Sequence, residues 1–353
     1  MKKLLKSVLP ARLIIKIQQI RQKVDAVLIR FFVKTKWLSS VYYVLFNLSF
    51  GREAQAVLAG RIKHDRDIEA GSQFKLRRNI HRLEKGLIMK PRRAIFAEGY
   101  IGETVDSYVA CLAETNYCHQ EQKWAKDVLL EYFSVVEASP VINKASQEFF
   151  NADTLTAEGT RSSVPYFADQ RPSVDVTPDE LYQLFRKRRS VRWFSEQPVE
   201  MLSIEKAIEM AAQAPSACNR QPFKFHVINN PTKAQQIASI PMGTKGFSQN
   251  IQSLLVLVGD LSAYPKERDR HVIYIDGGLV AMQLMLALES LGLSSCPINW
   301  PDMEAFERKM DKALSLEPFQ RPIMLMAVGY ADESGQIPYS QKKTAKALIK
   351  EIH

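Results

Sequence analysis

No stretch of this chain carries the roughly 18 to 20 consecutive apolar residues needed to cross a bilayer as a helix. The nearest, WLSSVYYVLFNLSF (37–50), is too short and holds Ser and Asn, so no spanning helix is expected. Cysteine is scarce as well. Cys111, Cys118, Cys218 and Cys296 are scattered and no secretion signal precedes them, which fits a reducing cytoplasm. His119 follows Cys118, but no second ligand pair stands at zinc-finger spacing, and no metal is expected. Four catalytic signatures are missing too: G-x-G-x-x-G after a strand, Walker A, G-x-S-x-G and H-E-x-x-H. Their absence removes the common dinucleotide, P-loop, α/β-hydrolase and zinc-protease readings. What remains is a chain of 353 residues, 46% apolar and 24% charged, long enough for one large or two ordinary domains with a proper core.

Acid is what the N-terminal end lacks. Residues 1–99 hold 22 Lys and Arg against 7 Asp and Glu, a formal +15, while the other 254 residues carry −5 of the chain's net +10. Within residues 1–36 there are ten cations and one acid, Asp25. Leu13, Ile17, Ile20, Val24, Val27 and Phe31 recur there at helical spacing, which predicts a basic amphipathic helix. Its stripe could lie on an anionic membrane, peripherally on the inner face, or pack on protein. The basic stretches carry no recognisable nucleic-acid motif, and nucleic acid is not the expected partner.

Residues 1–60 read as a basic helical segment and 61–150 as a further helical region. Within the latter, KLRRNIHRLEKGLIMKPRR (75–93) predicts a helix stopped at Gly86 and finally by Pro91, with His81 and Glu84 one turn apart. Helices are also expected around 100–113 and 122–138. The polar stretch 151–176 reads as a linker. A new domain, 177–353, begins at TPDELYQLFRKRRS, where Thr177, Pro178 and Glu180 form an N-terminal capping box. Helices at 201–215 and 275–293 then alternate with strands at 223–229, 254–260 and 321–332, an α/β or α+β arrangement.

Four polar clusters lie in this second half. In RKRRSVRWFSEQPV (186–199), Arg188, Arg189, Ser190 and Arg192 stand where a helix gives way to extended chain. They could meet a phosphate with guanidinium forks and a hydroxyl, or form an exposed cationic helix end. APSACNRQPF (214–223) offers Ser216, Asn219 and Gln221, suited to the edge of a heteroaromatic ring or to a capped turn. GLSSCPINWPD (292–302) reads as a loop carrying Pro297, Ile298 and Asn299. YSQKKTAKAL (339–348) places Ser340, Lys342 and Lys343 after the last strand.

Taken in order, RRSVRWF, APSACNRQPFKFHVI, IDGGLVAMQLMLALESLGLSSCPINW, PIMLMAVGYAD and the trailing basic pair resemble the FMN-dependent nitroreductase family over about residues 177–350. The resemblance implies an α+β sandwich, a sheet flanked by helices, preceded here by a mainly helical N-terminal region. It implies a homodimer with FMN at the interface. Arg188, Arg189, Ser190 and Arg192 would then hold the FMN phosphate and ribityl chain, joined by Lys342 and Ser340. Ser216, Asn219 and Gln221 would approach from the partner subunit, and Pro297, Ile298 and Asn299 would line the ring. Phe223 stands where the family usually has Trp, Asn299 and Trp300 where an acid or Gly is common, and Lys342 or Lys343 where Arg is usual.

The activity so implied is transfer of a hydride from NADH or NADPH, by way of the flavin, to a small oxidised acceptor of nitro, quinone or enone type, with no protein nucleophile required. The alternative is a catalytically silent flavin-fold interaction module at a membrane surface.

Overall fold

The apolar period of the N-terminus forms helix α1 (Ala11–Phe32), followed by α2 (Lys36–Leu45) and a 3-10 turn (Leu48–Phe50). Thr35 caps α2, its hydroxyl accepting from the Leu38 N–H at 3.2 Å. The two helices pack through Tyr42, whose hydroxyl donates to Asp25, and through Phe32, whose ring lies 5.4 Å from that of Phe46. These elements belong to a small unit of residues 1–55 with 302–304; residues 56–301 and 305–353 form the second unit. The computed structural model describes residues 10–70, 73–114, 118–152 and 163–352. Residues 1–9 of the basic N-terminus and 153–162 of the expected linker lie outside the described residues.

Helix α3 (Gly51–Ala70) brings Ala56 and Val57 against Leu261, Tyr264 and Ile273. Four helices then make a bundle: α4 (Gln73–Leu87), α5 (Ile101–Leu112), α6 (His119–Val135) and α7 (Pro140–Ala152). Leu76, Ile80 and Leu83 recur every three or four residues along α4 and meet Val105, Tyr108, Val128, Tyr132 and Phe149 in one buried cluster. The expected stop at Gly86 does not occur, because α4 continues to Leu87. Gly86 serves a close approach instead: a Cβ there would stand 2.4 Å from the Phe96 ring. His81 Nδ1 lies 3.0 Å from Glu84, whose other oxygen accepts from Trp124 Nε1 at 2.9 Å.

Helix α8 (Pro178–Lys187) opens with the expected capping box. Thr177 Oγ1 accepts from the Glu180 N–H at 3.3 Å, and Glu180 accepts from the Thr177 N–H at 2.8 Å. Beyond it lie α9 (Met201–Ala211), β1 (Phe223–Ile228), α10 (Pro231–Ala238), β2 (Ser253–Asp260), α11 (Val272–Ser290), β3 (Ser294–Asn299), α12 (Glu304–Leu314), β4 (Gln320–Gly329) and the short α13 (Ala345–Leu348). The strands form one antiparallel sheet in the order β1-β2-β4-β3.

Side chains alternate across this sheet. Leu255, Leu257, Met326 and Val328 face α9 and α11, whereas Leu254, Val256, Leu325 and Ala327 face α10 and α12. Both faces are therefore covered, which explains why β2 is apolar throughout rather than alternating with polar residues. This is an α+β fold. Residues 267–290 are long and apolar enough by length and composition to cross a membrane, contrary to the expectation that 37–50 comes nearest. Helix α11 owes that character to its place in the core, where Val280, Ala281, Leu284 and Leu288 are buried.

The stretch 292–302, expected as a loop, contains strand β3. It pairs with β4 from Ser294↔Gly329 to Asn299↔Met324. Pro297 disguised it, since proline suggests a break. The strand is at the sheet's edge, where a residue without an N–H can sit with no ladder bond lost.

Candidate functional site

The segment after α8 is attached to the outer edge of β3. Ser190 bridges Ser295 in parallel, and the Val191 N–H donates to the Ser295 carbonyl at 3.1 Å. Phe194 fixes the far end: its carbonyl accepts from Asn250 Nδ2 at 3.0 Å, and its ring packs where a Cβ on Gly329 would come within 2.8 Å. Val191 and Phe194 are buried, and Arg192 between them is half-buried, lying at 5.8 Å over the ring of Phe247, which belongs to the same core cluster.

This attachment brings Arg188, Ser190 and Arg192 beside Ser295 and Cys296. Burial raises the Cys296 thiol pKa, and the positive charges of Arg192 and Arg188 oppose that rise. Arg189 turns back onto backbone carbonyls, 3.0 Å from that of Arg188. Lys187, largely exposed, approaches Glu289 at 3.9 Å. Burial raises the Glu289 pKa, with Lys187 and Arg188 acting the other way.

Two polar atoms here decide whether an anion fits. Among the described residues, Arg188 Nε and Ser295 Oγ are buried without a hydrogen-bond partner. An orphaned guanidinium N–H is costly unless an acceptor arrives, and a phosphate supplies such acceptors. The residues present therefore suit the phosphate end of FMN.

The second cluster is the strained loop between α9 and β1. Cys218, Asn219 and Gln221 have φ of 53°, 53° and 48°, a left-handed conformation that non-glycine residues adopt only when their surroundings enforce it. Three contacts enforce it here. Ser216 Oγ accepts from the Gln221 N–H at 3.0 Å. The Ala217 N–H donates to the Asp276 carboxylate at 3.1 Å. Arg77, from helix α4, donates through Nε to the Asn219 carbonyl at 2.8 Å and through an amino group to Gln221 Oε1 at 3.0 Å.

Arg77 is itself held by Glu121 at 2.7 Å. The Gln221 amide is engaged at both ends, since Nε2 donates to the Ala212 carbonyl at 2.8 Å. A cleft of about 440 Å³ opens beside this loop, its walls including Arg77, Glu121, Gln221, Phe223 and Asp260.

The remaining expected site residues are placed as follows. Ile298 is buried in the core, and Asn299 is exposed at the end of β3. Trp300 is buried and its indole donates to Glu307 at 2.5 Å. Ser340 and Lys342 lie in an exposed, irregular tail after β4, with Ser340 at φ 49°. Sequence reading missed Arg77 and Asp276, which act on the loop from 142 and 59 residues away. The only signal was Asp276 in the mainly apolar first half of a helix.

Asp276 gives the loop a pH signature. Its carboxyl is 2% exposed, and burial raises its pKa despite the Ala217 N–H. A raised folded-state pKa contributes stability that is complete below the ordinary Asp value and lost as pH rises through the folded value. Asp276→Asn keeps an acceptor for Ala217 and does not titrate. The stability of the wild type minus that of D276N should therefore be largest near pH 4 and fall toward pH 7, read from urea midpoints. A pH-independent difference would contradict this.

Comparison with known proteins bears on this geometry directly. The model of the nitroreductase family matches residues 185–252 and 234–330, which include the edge segment, the sheet and the loop. Iodotyrosine deiodinase 1 of Mus musculus is 34% identical over 226 residues, 55% of this chain and 77% of the mouse protein. The chain belongs to the nitroreductase family. A 4-nitrobenzoate reductase of Pseudomonas putida is 25% identical over 205 residues, 45% of this chain and 88% of that protein. A nitroreductase family protein of Streptococcus pneumoniae TIGR4 is 25% identical with a TM-score of 0.43, covering 49% of this chain and all of that one. The family match leaves residues 1–184, with Arg77 among them, outside its bounds.

Proposed function

We propose that this nitroreductase-family chain is an FMN-dependent oxidoreductase that passes two electrons from NADH or NADPH to a small oxidised acceptor of nitro, quinone or enone type. The observation that carries the reading is the buried, unpaired Arg188 Nε beside Ser190, Arg192 and the orphaned Ser295 Oγ. Arg188 and Arg192 would neutralise the phosphate and Ser190 would donate to it. Bound FMN supplies the two-electron chemistry through its ring nitrogen N5. The protein's part is to orient the group and shape its surroundings. The edge of β3, with Pro297 and Asn299, would present backbone to the ring. The loop 216–221, held rigid by Arg77 and Asp276, would reach the ring from a second copy of the chain.

Dimerisation is part of the proposal. Strand β1 ends the sheet, and the tail after β4 exposes Ile337, Tyr339, Leu348, Ile349 and Ile352. A second copy would cover both features and bring its own loop 216–221 toward the cradle, which Lys342 of the C-terminal tail would join. A halogenated aromatic is a second acceptor class, favoured by the 34% identity to the mouse deiodinase.

Purified protein is expected to be yellow with one FMN per chain, and its flavin absorbance to bleach anaerobically on addition of NADH or NADPH. A colourless protein that takes up no added FMN defeats the proposal. Bound FMN that neither nicotinamide bleaches would select the silent interaction module. Turnover of a nitroaromatic against an iodoaromatic then separates the acceptor classes.

A further inference from the structure

Helix α1 exposes the apolar stripe that its sequence period describes. Leu13, Ile17, Ile20, Val24, Val27 and Phe31 are each between 43% and 66% exposed. At about 100° per residue they fall within an arc of about 80°. The face that packs on α2 is a different one, carrying Asp25 and Phe32. In the same unit, α2 and the turn after it expose Trp37, Val44, Leu45 and Leu48, with Trp37 at 72%. So much exposed apolar surface within one small unit is more than scattered exposed residues account for.

Charge narrows the choice of what covers it. Arg12, Lys16, Lys23 and Arg30 run along one flank of the stripe, about 60–100° from its centre, and Arg21 stands on the other. All five are exposed. The single acid of the segment, Asp25, is engaged by Tyr42. A second copy of the helix would oppose like charges across the contact. A nucleic acid would meet the cations but leave the stripe in water. An anionic bilayer satisfies both, because the stripe enters the headgroup boundary while flanking Lys and Arg reach the lipid phosphates.

We infer that α1 and α2 form an interfacial anchor that lays the protein on an anionic lipid surface without crossing it. The anchor is independent of the flavin site, so failure of one reading leaves the other standing.

Flotation of the full-length protein with vesicles of phosphatidylcholine and phosphatidylglycerol, 7:3, tests this beside phosphatidylcholine alone. At least tenfold greater partition onto the anionic vesicles is expected, reduced by high salt. Lys16→Glu with Lys23→Glu should lower partition by more than about 25-fold, since each cation near the surface contributes about fivefold. Val24→Asp with Val27→Asp should lower it at least tenfold. Unchanged helical circular dichroism and an unchanged urea midpoint in both double variants verify the fold, and if one does not fold the other carries the test.

Equal partition onto both vesicle types, or wild-type flotation of either folded double variant, overturns the inference. So does the absence of flotation. Salt-sensitive retention on DNA without flotation would assign the surface to nucleic acid, and self-association abolished by the valine variants without flotation would assign it to a second copy.

Discussion

Arg321→Met is expected to lower the free energy of unfolding by about 3–5 kcal/mol, the usual cost of stranding one member of a buried ion pair. Arg321 on β4 is 1% exposed and Glu307 on α12 is fully buried, with Nε 3.0 Å from the carboxylate. The same carboxylate accepts the Trp300 indole N–H. Removing the guanidinium leaves the Glu307 carboxylate buried without this counter-charge, and the protein must either protonate it or open α12 to water. Glu307→Leu combined with Arg321→Met should recover most of the loss, since an apolar pair of similar volume is often neutral in such places. Urea unfolding of the three chains measures this directly. An Arg321→Met protein within 1 kcal/mol of wild type would refute it. Because β3 runs directly into Trp300, a weakened triad is also expected to loosen the edge strand that carries Pro297 and Asn299.

Arg188→Ala is expected to weaken FMN binding by about 10- to 150-fold. Hydrogen bonds to a charged group contribute about 1.5–3 kcal/mol each, and each 1.4 kcal/mol is a factor of ten. The effect should be large because Nε of the half-buried Arg188 is itself buried and has no protein partner among the described residues to fall back on. Arg188→Lys should recover part of the affinity, retaining charge but not the planar fork. Arg186→Ala is the control, since Arg186 is exposed two positions earlier on the same helix end. Titration of FMN into stripped protein, followed by flavin fluorescence, separates these cases. Equal affinity for Arg188→Ala and wild type would remove Arg188 from the cradle.

Much of the fold was legible along the chain, for local reasons. The capping box at Thr177 needs only residues 177–180, so its sequence pattern and its geometry coincide. Helix α1 and the bundle helix α4 were legible because an exposed or half-buried helix keeps one apolar face. Strand β3 was not, because a proline on an edge strand looks like a break when the neighbouring strand is out of view. Gly86 misled for a similar reason: a glycine that ends a helix and one that admits a phenylalanine ring read alike.

The candidate site divides along the same line. Sequence alone determined the cationic cluster at 188–192, its position after a helix end, the family resemblance over the C-terminal half and the amphipathic period of the N-terminus. Each is carried by residues adjacent in the chain or one helical turn apart. Tertiary structure alone decided that the cluster is bonded to the edge of β3, leaving Arg188 Nε and Ser295 Oγ unpaired among the described residues. It alone decided that Arg77 and Asp276 hold a left-handed loop in place, and that Trp300 is bound to a buried carboxylate. Those facts depend on which distant groups share a low-dielectric space. Hydrogen-bond partners there are set by packing across elements, and no local period in the sequence records them.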